Sequence, residues 1–228
     1  MVVAAGRGER LGGEPKQFRQ LGGIPVVCWA VRPLLEGLSG EIVVVLPGGA
    51  LEEGAELLAA FFEESTGRVR FAAGGDRRQD SVRSGLAALE GRGEAVVVHD
   101  GARPFASTTL VERVASAATA GRAVVPALPT ADTIKRVEGE RVVETIERRT
   151  AVAVQTPQGF PRPLLEAAHA AWPDDEEATD DAAMCERIGA PVTWVPGEPL
   201  NRKLTGPEDW WWAERMVESG RMRWGRRA

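Results

Sequence analysis

The chain has 228 residues, with 28 lysines and arginines against 33 aspartates and glutamates; a net charge of −5 excludes a general nucleic-acid binder, which would carry a basic surface. Any phosphate it holds must therefore meet local cations rather than a global positive field. Cys28 and Cys185 stand apart without metal-ligand spacing, no apolar run reaches the roughly 18 residues of a membrane span, and no charged-then-apolar leader opens the chain, so a cytoplasmic protein without membrane or nucleic-acid partners is expected.

Met1 to Ala5 reads as a short buried strand. It opens into a loop where Gly6, Gly8, Gly12 and Gly13 alternate with Arg7, Arg10 and Lys16. Glycines let backbone amides approach a ligand and converge on it, and interleaved cations suit an anion with several oxygens, such as a nucleoside triphosphate. The Walker pattern is absent, and Leu11 stands where a dinucleotide loop needs its third glycine. An ordinary glycine-rich turn thus remains the second reading. The only lysines are Lys16, Lys135 and Lys203; they mark places that need a compact ammonium, or they simply reflect a biased composition.

Beyond the loop, the apolar spacing predicts a helix over Pro25 to Leu38, kinked near Pro33, a strand over Glu41 to Leu46 and a helix over Leu51 to Phe62. A strand over Val69 to Ala72, a helix over Ser81 to Leu89 and a strand over Ala95 to His99 follow. Thr108 to Ala120 reads as helix and Ala123 to Ala127 as strand. Apolar strands alternating with helices indicate a mostly parallel sheet covered on both faces. Asp132 to Arg136 and Arg141 to Ile146 break this rhythm as a polar hairpin with little to bury, which either projects onto a second subunit or forms an exposed flap. Val152 to Gln155 resumes the sheet; Arg162 to Ala171 and Asp180 to Ile188 are helical, with Thr179 as the expected N-cap. Val192 to Val195 is strand, Arg202 to Leu204 a short extended piece and Pro207 to Glu218 the last helix, before a basic tail that is expected to fray. The whole, residues 1–228, is expected to be one domain with an arm at about 130–151.

Ligands of open parallel sheets sit beyond the carboxyl ends of the strands. Four polar segments converge there: the N-terminal loop, GGDRRQDS at 74–81, HDGARP at 99–104 and TPQ at 156–158. Asp100 ends a buried strand beside a glycine, so its carboxylate either holds Mg²⁺ against phosphates or pairs locally with Arg103. Gly74 and Gly75 can present backbone to a base, ahead of a helix whose N-terminus starts at Asp80 or Ser81 and favours anions. Arg77, Arg78 and Asp80 could equally form a solvated helix start. His99 and His169 are read as structural, and the acidic run from Asp174 to Glu177 as a solvated loop. Trp210, Trp211 and Trp212 point around one helix, which suits burial or a subunit contact. Glu144 and Arg148 are close enough in sequence for a local ion pair.

In order and spacing, AAGRGERL…PKQF, GGDRRQDS, VHDGARP, DTIKR, TPQGF, TDDAA and NRKLTGPED resemble the cytidylyltransferase family of the non-mevalonate isoprenoid pathway, over nearly the whole chain. Leu11 stands for the usual methionine, Gly101 for the usual alanine, and almost nothing precedes the first strand. The resemblance implies a Rossmann-like three-layer α/β sandwich of the nucleotide-diphospho-sugar transferase type. It implies CMP transfer from CTP to 2-C-methyl-D-erythritol 4-phosphate with Mg²⁺ or another divalent cation. Arg10 and Lys16 would stabilise transition-state charge, with Arg148 and Lys203 as further catalytic cations. Ala4, Ala5, Gly6, Gly8, Gly75, Asp76, Arg78 and Ser81 would hold CTP. Asp100 would lie by the metal and the acceptor, and Arg103, Thr133 and Thr179 would serve the acceptor, with Thr133 and Arg148 reaching across a homodimer through the arm. Rival readings keep the fold but exchange the acceptor for ribitol phosphate or another sugar phosphate, or make the chain a nucleotide-binding regulator without turnover. A second fused domain is not expected from the length.

Overall fold

The structure, a computed structural model, describes residues 1–6, 17–65, 67–91 and 93–224. In chain order, β1 (Val2–Val3) is followed by a small hairpin of β2 (Gln20–Leu21) and β3 (Ile24–Pro25), helix α1 (Val26–Gly37), β4 (Ile42–Leu46), α2 (Leu51–Ala59), β5 (Val69–Ala73), α3 (Arg78–Ala88) and β6 (Ala95–Asp100). Next come α4 (Thr108–Thr119), β7 (Ala123–Pro129), the arm strands β8 (Ile134–Glu138) and β9 (Arg141–Ile146), then β10 (Val152–Val154) and β11 (Gln158–Pro161). Helices α5 (Arg162–Ala171) and α6 (Asp181–Arg187), β12 (Val192–Pro196) and α7 (Pro207–Glu218) complete the order.

The sheet runs β10-β7-β11-β6-β1-β4-β5, with β12 also paired to β7. The β1–β4, β1–β6, β4–β5 and β7–β12 pairs are parallel, whereas β11 runs antiparallel between β6 and β7. Period-two alternation sorts the buried strands between two cores. Val43 and Val45 join Val82, Leu86, Phe160, Leu165 and Met184 on one face, under α3, α5 and α6. Ile42, Val44 and Leu46 join Val27, Val31, Leu34 and Leu58 on the other, against α1 and α2. A third cluster ties α7 to the β2–β3 hairpin through Leu21, Trp29, Phe105 and Trp210. This is a three-layer α/β architecture with a central, mostly parallel sheet. Its hairpin β8–β9 forms a separate two-stranded piece.

Several expectations are corrected. Helix α3 begins at Arg78, before Ser81, because the Asp80 carboxylate accepts from the Arg77 backbone N–H and closes the turn there. The N-cap of α6 is Asp180, whose side chain accepts from the Ala183 N–H at 2.9 Å, not Thr179. TPQ leads into β11, whose antiparallel direction brings its first residue, Gln158, to the carboxyl edge of the parallel strands. Glu144 pairs across the arm with Arg136 at 2.5 Å, while Arg148 donates to the Ala131 carbonyl at 3.4 Å. The tail is packed as far as Trp224, which stacks edge-on with Trp29 and Phe61 and lies under the Arg32 guanidinium. Trp210 is buried, Trp211 is exposed and Trp212 packs on Phe105, so the three tryptophans do three different things.

Candidate functional site

The carboxyl ends of β1, β4, β5 and β6 are stitched together by backbone. The Ala4 N–H donates to Val45 O at 2.8 Å, Gly74 N–H to Leu46 O at 2.7 Å and Gly101 N–H to Val3 O at 2.9 Å. Side chains at these turns have no room. A Cβ on Gly74 would sit 2.2 Å from the Ala5 Cβ, and one on Gly101 would sit 2.7 Å from the Ala4 Cβ. The close approach leaves a cavity of about 200 Å³ lined by Ala4, Ala5, Gly6, Gln17, residues 75–78, Ser81, Asp100 and Lys203. Every described residue expected to hold a nucleotide lies on this wall: Ala4, Ala5, Gly6, Gly75, Asp76, Arg78 and Ser81.

A second pocket of about 170 Å³ adjoins the first. Arg103, Gln155, Thr156, Gln158, Thr179 and Asp180 line it, and it shares Arg78, Asp100 and Lys203 with the first. These three residues therefore form the partition between two hollows. Asp100 takes Lys203 Nζ at 3.0 Å, Arg103 Nε at 3.5 Å and Arg78 Nε at 3.6 Å, and Arg78 Nη1 reaches Asp181 at 2.8 Å. Arg78, Arg103 and Lys203 face Asp100, Asp181 and Asp180, which also lines the second pocket, so the charges balance and the three cations are held ready to meet an anionic ligand.

The titrations follow from this crowding. Burial alone would raise the Asp100 pKa, but Lys203, Arg78 and Arg103 outweigh it and hold the carboxyl below the usual carboxylate range. Asp181 behaves alike: burial opposes its charge, and Arg78 and His169 overcome that. Burial also works against the charge of Arg78, yet Asp181 and Asp100 raise its pKa. At Arg103 burial wins and the pKa falls.

Behind the partition lies a relay of buried polar groups. The Asp100 N–H donates to Thr156 Oγ1 at 3.0 Å. The Arg103 carbonyl can only accept, so His99 Nε2 carries a proton and donates to it at 3.1 Å, and Nδ1 of the neutral ring accepts from the Thr156 hydroxyl at 2.9 Å. This chain needs a neutral imidazole, and burial pushes the His99 pKa down to about 4. Gln155 holds the loop before Lys203 by donating to the Glu198 carbonyl at 2.9 Å and accepting from the Glu198 N–H at 3.0 Å. Asn201 donates to Thr156 O at 2.7 Å, and its own carbonyl accepts from Arg103 at 2.9 Å.

Thr133 and Arg148 lie on the exposed arm and line neither pocket of the same chain. Gly8, Arg10 and Lys16 lie outside the described residues. Gln17, Gln155, Asp181 and Asn201 were not singled out as site residues from sequence, and Gln158 only as the end of the TPQ segment. Gln17, Gln158, Asp181 and Asn201 stand inside quoted motifs and Gln155 just before one, but burial is not visible in a string of letters. Residues 174–177 form an exposed loop, as expected, and it is tied to α3: Gln79 donates to the Glu176 carbonyl at 2.8 Å and Arg83 to Asp174 at 3.1 Å.

An open α/β sheet with a glycine-lined cavity at its carboxyl edge, beside a second pocket across a charged partition, places the chain among α/β proteins that bind ligands beyond the carboxyl ends of their strands. Residues 1–219 match the family model described as 2-C-methyl-D-erythritol 4-phosphate cytidylyltransferase. The chain belongs to that family. It is 46% identical over 222 residues to the 2-C-methyl-D-erythritol 4-phosphate cytidylyltransferase of Nocardia farcinica, covering 96% of this chain and 93% of that one. It is 45% identical over 217 residues to the bifunctional enzyme IspD/IspF of Solidesulfovibrio magneticus, covering 92% of this chain and 54% of that one. The chain thus spans about half the length of such bifunctional relatives. Among solved structures it is similar to the 2-C-methyl-D-erythritol 4-phosphate cytidylyltransferase of Thermus thermophilus, with a TM-score of 0.77, 38% identity and coverage of 95% and 97%. It is also similar to the 4-diphosphocytidyl-2C-methyl-D-erythritol synthase of Anaerococcus prevotii, with a TM-score of 0.82, 28% identity and coverage of 95% and 96%.

Proposed function

We propose that the chain is a single nucleotidyltransferase domain that transfers CMP from CTP to 2-C-methyl-D-erythritol 4-phosphate, releasing pyrophosphate. The observation that carries this reading is the pair of adjoining pockets divided by Arg78, Asp100 and Lys203. CTP fits the glycine-lined cavity, where backbone near Ala4 to Gly6 and Gly75 can reach base and phosphates, with Gly8, Asp76 and Ser81 completing the set. The acceptor phosphate fits the second pocket, near Arg103 and Thr179. A phosphate monoester has its second pKa at about 6, so at neutral pH it is largely a dianion and attacks the α-phosphorus in line without a general base. The chain supplies position and positive charge through Lys203, Arg78 and Arg103, together with Arg10 and Lys16.

Asp100 is the group that would hold Mg²⁺. Its Oδ1 lies 3.6 Å from Arg78 Nε, beyond hydrogen-bond length, and so keeps acceptor capacity. Mg²⁺ needs only one or two protein carboxylates when phosphates supply the remaining oxygens. A bound cation would neutralise charge on the phosphate oxygens.

A homodimer through the arm belongs to the same reading. Val137 and Val142, paired across the arm, are both exposed, an apolar pair that suits cover by a second copy. Thr133 and Arg148 would then reach the neighbour's acceptor pocket. The protein would work in the cytoplasm; no helix among the described residues is long and apolar enough to cross a membrane.

The test is pyrophosphate release with Mg²⁺, CTP and either methylerythritol phosphate or ribitol phosphate, with UTP as control. Release with CTP and methylerythritol phosphate alone is expected. Release with ribitol phosphate instead would overturn the acceptor, and CTP binding without release would favour a regulator. Lys16→Ala and Arg10→Ala should each cut turnover by ~10²–10³-fold, the scale of one lost transition-state contact.

A further inference from the structure

Asp181 is a carboxylate with no exposed surface, and the proposed chemistry assigns it no role. Its Oδ2 lies 2.8 Å from Arg78 Nη1, and its Oδ1 accepts from His169 Nε2 at 2.9 Å. His169 is itself buried, and its Nδ1 has no hydrogen-bond partner, so Asp181 is the one polar group that orients the ring. Arg78 occupies the first position of α3, where the helix dipole repels a cation. A guanidinium held there needs carboxylates on both sides. Asp100 supplies one at 3.6 Å and Asp181 the nearer one at 2.8 Å, a short ion pair in which Asp181 Oδ2 makes no aligned hydrogen bond.

We infer that Asp181, braced by His169, is a positioning residue that holds Arg78 in the partition between the two pockets. The inference rests on the proposed transfer reaction. Held by Asp181, Arg78 stays off Asp100 and leaves that carboxylate to Lys203 and to whatever binds beside it. Released, Arg78 would close the 3.6 Å gap and tie up Asp100. Removing one member of a buried ion pair leaves the other uncompensated, so the effect should exceed that of a surface pair.

The experiment is a double-mutant cycle of Asp181→Asn and Arg78→Gln, reading kcat and KM for each substrate by pyrophosphate release, with melting curves as the control for folding. Each single variant should lose ~10–100-fold in kcat/KM, and the double variant should fall no more than ~3-fold below the worse single, because both changes remove one interaction. Losses that multiply, or an Asp181→Asn enzyme within ~2-fold of the parent, would overturn the inference. Should Asp181→Asn fail to fold, His169 decides: His169→Gln, which can still donate to Asp181, should stay near the parent, whereas His169→Leu should lose activity and raise KM. Equal activity in those two variants would count against the inference. If the parent protein itself releases no pyrophosphate, the proposed reaction fails separately. The same cycle is then read on CTP affinity by calorimetry, where non-additivity is again expected and additivity is the contrary result.

Discussion

Lys203 and Asp100, 3.0 Å apart, set the chemistry of the partition at the scale of single residues. Lys203→Ala should lower turnover by ~10²-fold, and Lys203→Arg should not restore it, because a planar fork cannot replace a point charge. Steady-state kinetics on the two variants checks this, and full recovery by arginine would contradict it. His99 sets an acid limit. Its pKa falls from 6.5 in the unfolded chain to about 4 in the fold, so between those values the unfolded state binds a proton that the folded state refuses. Stability is therefore lost as pH drops from 6.5 towards 4, by up to about 3 kcal/mol from this group. Melting curves across that window should fall less steeply for His99→Asn than for the parent. Roles at this scale were only partly legible in the sequence. Asp100 and Arg103 announce themselves as charges after an apolar strand, whereas Asp181 looks like an ordinary acidic residue in a first helical turn. Only its complete burial, which depends on the distant packing of α3 and α5, tells it apart.

The turn between β5 and α3 governs the nucleotide cavity at the scale of elements. Gly74 faces Ala5, Ser81 and Val45 at 2.2, 2.8 and 3.2 Å from any added Cβ, so Gly74→Ala must push two strand ends apart. The expected result is a loss of ~1–3 kcal/mol in stability together with weaker CTP binding, since overpacking at such a contact cannot relax cheaply. Thermal melts and calorimetry would read both, and unchanged CTP affinity would contradict the placement of the nucleotide. Long periodic helices and the apolar strands β4 and β6 were legible because one residue pattern decides each of them. Strand β11 was not: four residues including a glycine and a proline carry little strand signal, and their pairing with β6 is set by the fold around them. The β2–β3 hairpin is shorter still and is held by packing against α7.

Two apolar cores clamp one sheet at the scale of the whole molecule, and the arm stands outside both. Replacing residues 134–146 by a short turn should therefore leave the core folded while converting the proposed dimer to a monomer in light scattering. A shortened chain that stays dimeric would move the interface elsewhere. The layered architecture was legible from the alternation of strands and helices, and the projecting arm from the break in that alternation. The division of the ligand edge into two pockets was not, because it depends on side chains from four separate segments meeting in space.

Separate Michaelis constants for the two substrates test this division of the ligand edge. Asp76→Asn, on the wall of the glycine-lined cavity, should raise the KM for CTP and leave that for methylerythritol phosphate nearly unchanged. Thr179→Val, in the adjoining pocket, should do the reverse. If both variants shift the same substrate, the two hollows are one site and the account of the partition is wrong.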